Sequence, residues 1–396
     1  MISSKMLELG KKSSVIREIF EYGRKRKAEI GEENVFDFSL GNPSIPAPEI
    51  VTETLLNLVS STEPTLLHGY TSAAGDTDTR EKIASYITKT HGTPASFNRI
   101  YMTCGAAAGL TISLSAIISS DNDEIIVPAP FFPEYKVFIE KAGGMIVPVL
   151  SSEDSFQLDI AAIEKAINKN TKGIIINSPN NPTGVVYTEE SLKELAKLLS
   201  KKQNEFGNTI YLISDEPYRE LSYGVEVPFI PNIYDNTVVC YSFSKSLSLP
   251  GERIGYIFVP ESVTDGDDLF FAVCGAGRAL GFVCAPSLLQ YTVGKVLGQT
   301  ANIEVYKENR DILVSSLTDM GYSVTKPDGA FYLFLKAPNG DANEFAQKAK
   351  EFEILFVPSD SFGCEGYVRI SYCVSKEKIL KSLPSFKKLI ECYSKE

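Results

Sequence analysis

Histidine is nearly absent from this 396-residue chain, with His68 and His91 the only two. So few imidazoles exclude a His-rich metal centre and leave little material for a serine-type triad. Cysteine is present but unpatterned: Cys104, Cys240, Cys274, Cys284, Cys364, Cys373 and Cys392 are odd in number, scattered and free of any CxxC pair. Neither a disulfide framework nor a zinc site is expected, and a reducing cytoplasm suits the chain best. Positive charge is also short, since 39 Lys and Arg against 50 Asp and Glu leave a formal net charge of -11. That balance lacks the clustered cations that neutralise nucleic-acid phosphates. No stretch approaches the apolar run of about 18 residues that a spanning helix needs, and the opening MISSKMLELGKKSS is too polar for a signal peptide. No GxxxxGK[ST] loop occurs, and GAGRALG at residues 275–281 has GxGxxxG spacing without the acidic partner of a dinucleotide fingerprint.

What is present is a large stock of apolar residues, 43% of the chain, enough for two or three domains. Between residues 98 and 260 the short runs RIYMTC, DEIIVPAP, KGIIINSP, TIYLISDE, TVVCYSFS and GYIFVP alternate with helical spacing. This predicts an α/β fold. Because several runs are apolar on consecutive residues, their strands are expected in a mainly parallel sheet covered on both faces. Thr188 reads as an N-cap before Glu189 and Glu190, with Leu192, Leu195, Leu198 and Leu199 forming one stripe of a crossover helix. Beyond residue 290 the texture changes. A helical stretch through Tyr306, Arg310, Leu313 and Leu317 ends at Gly321; GAFYLFLK then reads as a strand, EFAQKAKEF as a helix and YVRISYC as a strand. A smaller α+β unit is expected there, with the N-terminal helix SSVIREIFEYGRK packed on it.

Four segments fall at the carboxyl ends of predicted strands, where open α/β sheets place ligands. SFSKSLSLPGERIGY sets Lys245 between Ser242, Ser244 and Arg253, a setting in which a lysine can be kept neutral and nucleophilic. In YLISDEPYREL, Asp215 ends an apolar strand three residues before Tyr218; in NSPNNPTG, Asn181 precedes Pro182; and in YMTCGAAAGL the amides of Gly105, Ala106 and Ala107 open a helix. Each has an ordinary structural alternative: a loop lysine, an aspartate N-cap, a polar turn, or small residues packing a helix on a sheet.

Taken together and in order, LGNP at residues 40–43, YTSAAGDTDTREKIA near Tyr70, NNPTG, SDEPY, SxSKSxxLPGxRxGY, GAFY and the Arg369 strand resemble the fold-type I pyridoxal phosphate enzymes, and among them the class I/II aminotransferases. The resemblance spans nearly the whole chain. It implies a seven-stranded, mainly parallel sheet in a large domain of residues 48–288, with residues 1–47 and 289–396 forming the small domain. It also implies that Lys245 carries pyridoxal 5'-phosphate as a Schiff base and then acts as general base, in a ping-pong exchange between an amino acid and a 2-oxo acid. Asp215 would pair with the pyridine nitrogen, Tyr218 and Asn181 with the phenolic oxygen, and Ser242, Arg253 and the amides of Gly105, Ala106 and Ala107 with the phosphate. Phe132 would stack on the ring, although core packing would explain an aromatic there equally well. Arg369 would clamp the substrate α-carboxylate, which Gly41 would let the backbone approach, and Tyr70 would reach the phosphate of a neighbouring subunit in a homodimer.

Two features qualify that resemblance. Members that use aspartate commonly carry a lysine where this chain has Ala107, so aspartate is not expected, and Phe131, Phe132 and Tyr135 make the pocket lean apolar. A carbon-sulfur β-lyase of the same fold shares the lysine, Asp and Tyr, but Arg253 in GERIGY favours the aminotransferase. A non-catalytic scaffold that has lost the chemistry is the other alternative; its usual basic DNA-binding segment has no counterpart here.

Overall fold

The computed structural model describes residues 2–11, 14–153 and 155–393; residues 1, 12 and 13 of the N-terminal stretch considered above lie outside them. Thirteen strands follow one another along the described chain. The first, β1 (Phe36–Asp37), precedes β2 (Ile100–Thr103), β3 (Glu124–Ala129), β4 (Met145–Leu150), β5 (Thr171–Asn177), β6 (Tyr211–Glu216), β7 (Thr237–Ser242) and β8 (Gly255–Phe258). The C-terminal strands are β9 (Val324–Thr325), β10 (Tyr332–Lys336), β11 (Ile354–Leu355), β12 (Val357–Pro358) and β13 (Tyr367–Ser371).

Strands β2 to β8 form the seven-stranded sheet in the order β2-β8-β7-β6-β5-β3-β4. Only β8 runs against its neighbours β2 and β7; the other pairings are parallel. The six runs picked out in the sequence are all strands of this sheet. The seventh, β4, escaped that reading because Pro148 interrupts it and only Val149 is fully buried, the mark of an edge strand. The central β5, β6 and β7 are buried almost throughout, since helices cover both faces. One cover is the crossover helix Glu189–Phe206: Thr188 Oγ1 caps the Ser191 amide, Gly207 closes the end with φ 69°, and its leucine stripe is buried.

The C-terminal unit centres on the sheet β12-β13-β10-β9, with antiparallel pairings throughout, and on an aromatic core that includes Phe331, Tyr306, Tyr372 and Phe386. The helix Val15–Ile30 packs on this unit as expected: Ile19 joins Leu355, Val357 and Phe362, and Arg26 makes paired hydrogen bonds to Glu353. Its Lys27 reaches Asp37 on β1, and β1 pairs with β11. The junction expected at residue 288 falls inside the helix Ser287–Val293, whose Leu289 and Val293 pack with Ile83, Met102 and Tyr256 of the sheet unit. Periodicity does not show which unit a short helix packs on, and this one carries its apolar side to the larger core.

The two units interlock. Tyr218, Leu221 and Tyr223, just past β6, belong to the C-terminal aromatic core, and Phe156 and Val185 pack on Phe334. Between the units, at the carboxyl ends of β5, β6 and β7, lies a cleft of about 260 Å³.

Candidate active site

Lys245 stands on a short helix, Phe243–Ser246, directly after β7. Ser242 caps this turn, its Oγ accepting the Ser244 amide and donating to Ser244 Oγ at 2.7 Å. The Lys245 amine points into the cleft and donates a 2.9 Å hydrogen bond to the Gly41 carbonyl, with the Phe331 ring 5.4 Å away. Burial, helped by the positive charges of Arg253 and Arg369, lowers this amine from 10.5 to about 8, so about a tenth of it is neutral at pH 7 and about half near pH 8. Gly41 has a use that the sequence did not reveal. Its carbonyl holds the lysine, and a Cβ there would collide with the Tyr332 hydroxyl.

Asp215, next to last in β6, is buried beside the cleft. Tyr135 donates a 2.5 Å hydrogen bond to Oδ2, whereas Oδ1 has no partner among the described residues. Burial raises its carboxyl from 3.8 to about 7, with Tyr135 opposing the shift and Glu216 adding to it. Tyr218 shares a 2.9 Å hydrogen bond with Tyr332, and burial keeps its hydroxyl protonated, hence a donor. Arg369 on β13 donates to Asn181 Oδ1 at 3.1 Å and to the Ser39 carbonyl at 2.7 Å, while its buried Nε has no partner among the described residues.

On the other side of Lys245, Arg253 adopts φ 52°, a left-handed backbone rare outside glycine, and donates to the Pro250 carbonyl at 3.0 Å. This carries its guanidinium to Gly105, the residue capping the helix Ala106–Ile117; a Cβ on Gly105 would lie 2.7 Å from Arg253 Nη2. A helix N-terminus, an arginine and the Ser242 and Ser244 hydroxyls therefore meet at one end of the cleft, a set suited to phosphate.

Of the residues singled out in the sequence, the cleft is lined by Gly41, Ala106, Phe132, Asn181, Asp215, Tyr218, Ser242, Lys245, Arg253 and Arg369. Gly105 and Ala107 flank Ala106 outside the lining, and Tyr70 lies on an exposed loop away from it. Several contributors had no signal of their own. Asn177 donates to the Asp215 carbonyl and accepts the Asn181 amide, fixing two site residues at once. Tyr332 and Ile16 resembled a core aromatic and a helix-face residue, and nothing in sequence spacing separates those from site residues; Tyr135, expected as an apolar part of the pocket, instead holds Asp215 through its hydroxyl. Among the described residues there is no cluster of His, Cys, Asp or Glu able to hold a metal, and no helix long and apolar enough to cross a membrane.

Residues 33–384 match the family model for aminotransferase class I and II. The chain belongs to that family. It is 30% identical to a probable aspartate aminotransferase of Methanocaldococcus jannaschii over 99% of this chain and 100% of that one, and 28% identical to aromatic-amino-acid aminotransferase 2 of Thermococcus litoralis over 96% of each. The crystal structure of an aminotransferase from Eubacterium rectale superposes with a TM-score of 0.98 at 55% identity, covering 99% of both chains. The protein is thus a pyridoxal phosphate-dependent aminotransferase with the fold-type I architecture. Nothing in these likenesses favours a lyase or an inert scaffold.

The cleft of the aminotransferase fits that cofactor. A buried carboxyl with one free oxygen is a ready partner for a protonated ring nitrogen, which would return it to the ionised form. Without that partner the Asp215 charge burdens the fold. Its folded-state value lies above the unfolded one, so the folded apoprotein binds the proton more tightly, and the burden is absent well below pH 3.8 and grows as pH rises to about 7. Asp215→Asn is expected to raise the melting temperature of the cofactor-free protein at pH 8, to raise it far less at about pH 4, and to abolish transamination. Equal melting temperatures for the two proteins at pH 8 would contradict this.

Proposed function

We propose that this aminotransferase moves amino groups between L-amino acids with uncharged side chains and 2-oxo acids, with Lys245 as the lysine that bonds the cofactor. The observation that carries this reading is the cation inventory of the cleft. Among the described residues its lining holds three cations, Lys245, Arg253 and Arg369. Arg369 is placed for the α-carboxylate, Arg253 for the phosphate and Lys245 for the chemistry. This leaves none for a second substrate carboxylate, and Ala107 stands where aspartate-using members carry lysine.

When bound, pyridoxal phosphate supplies an aldehyde that condenses with amines and a ring that accepts an electron pair. The chain's own residues supply the rest. Asp215 would hold the ring nitrogen through Oδ1, Tyr218 and Asn181 would meet the phenolic oxygen, Phe132 would cover the ring, and Ser242, Arg253 and the amides of Gly105, Ala106 and Ala107 would receive the phosphate. Arg369 offers the substrate carboxylate a planar pair of donors. Lys245 Nζ, half neutral near pH 8, moves a proton on and off the substrate Cα. Ile16, Leu40, Phe132 and Tyr332 give the remaining wall most of its apolar surface. With a neutral 2-oxo acid such as pyruvate as acceptor, neutral or aromatic donors are expected to exceed aspartate in kcat/KM by about tenfold or more, since a buried carboxylate would go unpaired. A preference for aspartate would overturn the substrate reading and point to a cation from another subunit.

The working form in this proposal is a homodimer in the cytoplasm, with the domain junction in the segment after the helix Ser287–Val293. Seven free cysteines and an acidic balance support the compartment. For the dimer, Tyr70 is 89% exposed on a loop beside exposed Leu66, and the helix after exposed Val283 is tied to this region by the Ser287 bond to the Leu67 carbonyl. Exposed apolar side chains on neighbouring segments suit a protein contact, and from it Tyr70 would serve the partner's phosphate site. Tyr70→Phe is expected to weaken cofactor retention about tenfold while sedimentation still shows a dimer. A fully active monomer would contradict the arrangement.

A further inference from the structure

Behind the lysine turn lies a second group of buried polar side chains that this chemistry leaves unused. The end of β6 and the turn after it carry three carboxyl groups, Asp215, Glu216 and Glu220, but one cation, Arg219. Arg219 is committed elsewhere. Its Nε donates to Glu216 Oε2 at 2.5 Å, its terminal nitrogens donate to the carbonyls of Val227 and Pro228, and it lies over Phe229, on which His91 stacks. Among the described residues Glu220 has no ion-pair partner of its own. Its Oε1 accepts a 2.8 Å hydrogen bond from the Tyr241 hydroxyl, and its Oε2 is shut off from solvent with no partner among the described residues.

The groups facing Glu220 are Tyr241 from β7, Tyr256 from β8, Tyr86 from the helix Thr77–His91, and Arg219 and Glu216 from its own turn. Burial holds all three tyrosines protonated. Burial, joined by Glu216, pushes the Glu220 carboxyl up, while the Tyr241 hydrogen bond and Arg219 oppose the shift.

Tyr241 connects this carboxyl to the lysine turn, because its hydroxyl also lies 3.1 Å from Ser246 Oγ. With the Tyr241 proton given to Glu220, Ser246 is the donor in that bond. Ser246 directly follows Lys245. Lys245 faces the cleft, whereas Ser246 faces a separate small cavity shared with Tyr241 and Glu220, and its carbonyl accepts the Ala301 amide at 2.7 Å.

We infer that the chain Ser246, Tyr241, Glu220 fixes the lysine turn from behind, which makes Glu220 a positioning residue for Lys245 although it lies outside the cleft. The inference rests on the proposed role of Lys245. It predicts that the amine loses its fixed position when the chain is cut at any link and keeps it when the chain is preserved without the acid.

The test uses the holoenzyme and two readouts besides activity: the pH midpoint of the bound cofactor's visible absorption, and cofactor retention on dilution. Glu220→Leu and Tyr241→Phe are expected to move the midpoint by about one pH unit and to weaken retention about tenfold, as loss of one buried hydrogen bond implies. Ser246→Ala, which removes a single hydroxyl and keeps the core filled, should shift both in the same direction even if the larger changes fold poorly. Glu220→Gln still offers Tyr241 an acceptor and should match the wild type in both. Wild-type midpoints in the cut variants, even with lowered melting temperatures, would overturn the inference, as would a shift in Glu220→Gln equal to that in Glu220→Leu. Lys245→Ala serves as control: if it kept the pH-dependent band, the role of Lys245 itself would fall, an outcome distinct from the others.

Discussion

The hydrogen bond from the Lys245 amine to the Gly41 carbonyl joins three parts of the chain that are far apart in sequence. Lysine comes from the end of a sheet strand, and the carbonyl comes from the segment after β1. That segment is held in turn by the small unit, since Arg369 donates to the Ser39 carbonyl and Lys27 of the N-terminal helix binds Asp37. Tyr332 crowds Gly41 so closely that only glycine fits. An amine can be enclosed this far from water only if some acceptor receives it, so seating Lys245 requires both units to be in place.

The same enclosure gives the site its electrostatic character. Lys245 is shifted down, Asp215 is shifted up, and Arg369 keeps a buried nitrogen without a partner among the described residues. None of these helps the empty protein fold. Each instead fits a partner that ionises or accepts at that spot, which is how sites that bind charged ligands depart from the self-satisfied cores around them. The cleft is thus stabilised by the sheet behind it and completed by what binds in it. Opposed shifts in an acid and a base within one pocket also separate their tasks: the lysine is free to exchange protons, while the aspartate is reserved for a cationic partner.

Much of this was legible in the sequence, and the limits were physical. Consecutive apolar residues marked the six covered strands, and Thr188 with its leucine stripe marked the crossover helix. Strand β4 was lost because an edge position with a central proline carries neither continuous nor alternating hydrophobicity. In the site, residues set in distinctive turns, such as Lys245, Asp215 and Asn181, could be found from their neighbours. Asn177 and Tyr332 could not, because their roles arise from contacts across 38 and 114 positions that no local pattern encodes, and Tyr135 was read as apolar wall because its bond to Asp215 spans 80 positions. Gly41 was picked for its lack of a side chain, but the hydrogen bond that its carbonyl accepts from Lys245 across 204 positions had no local signal.

The central claim is that Lys245, and no other lysine, bonds the cofactor. Borohydride reduction of the holoenzyme followed by peptide mapping by mass spectrometry tests it directly. The account predicts a phosphopyridoxyl mass on the peptide containing Lys245 and none elsewhere. A label on another lysine, or a holoenzyme that reduction leaves unlabelled, would contradict it.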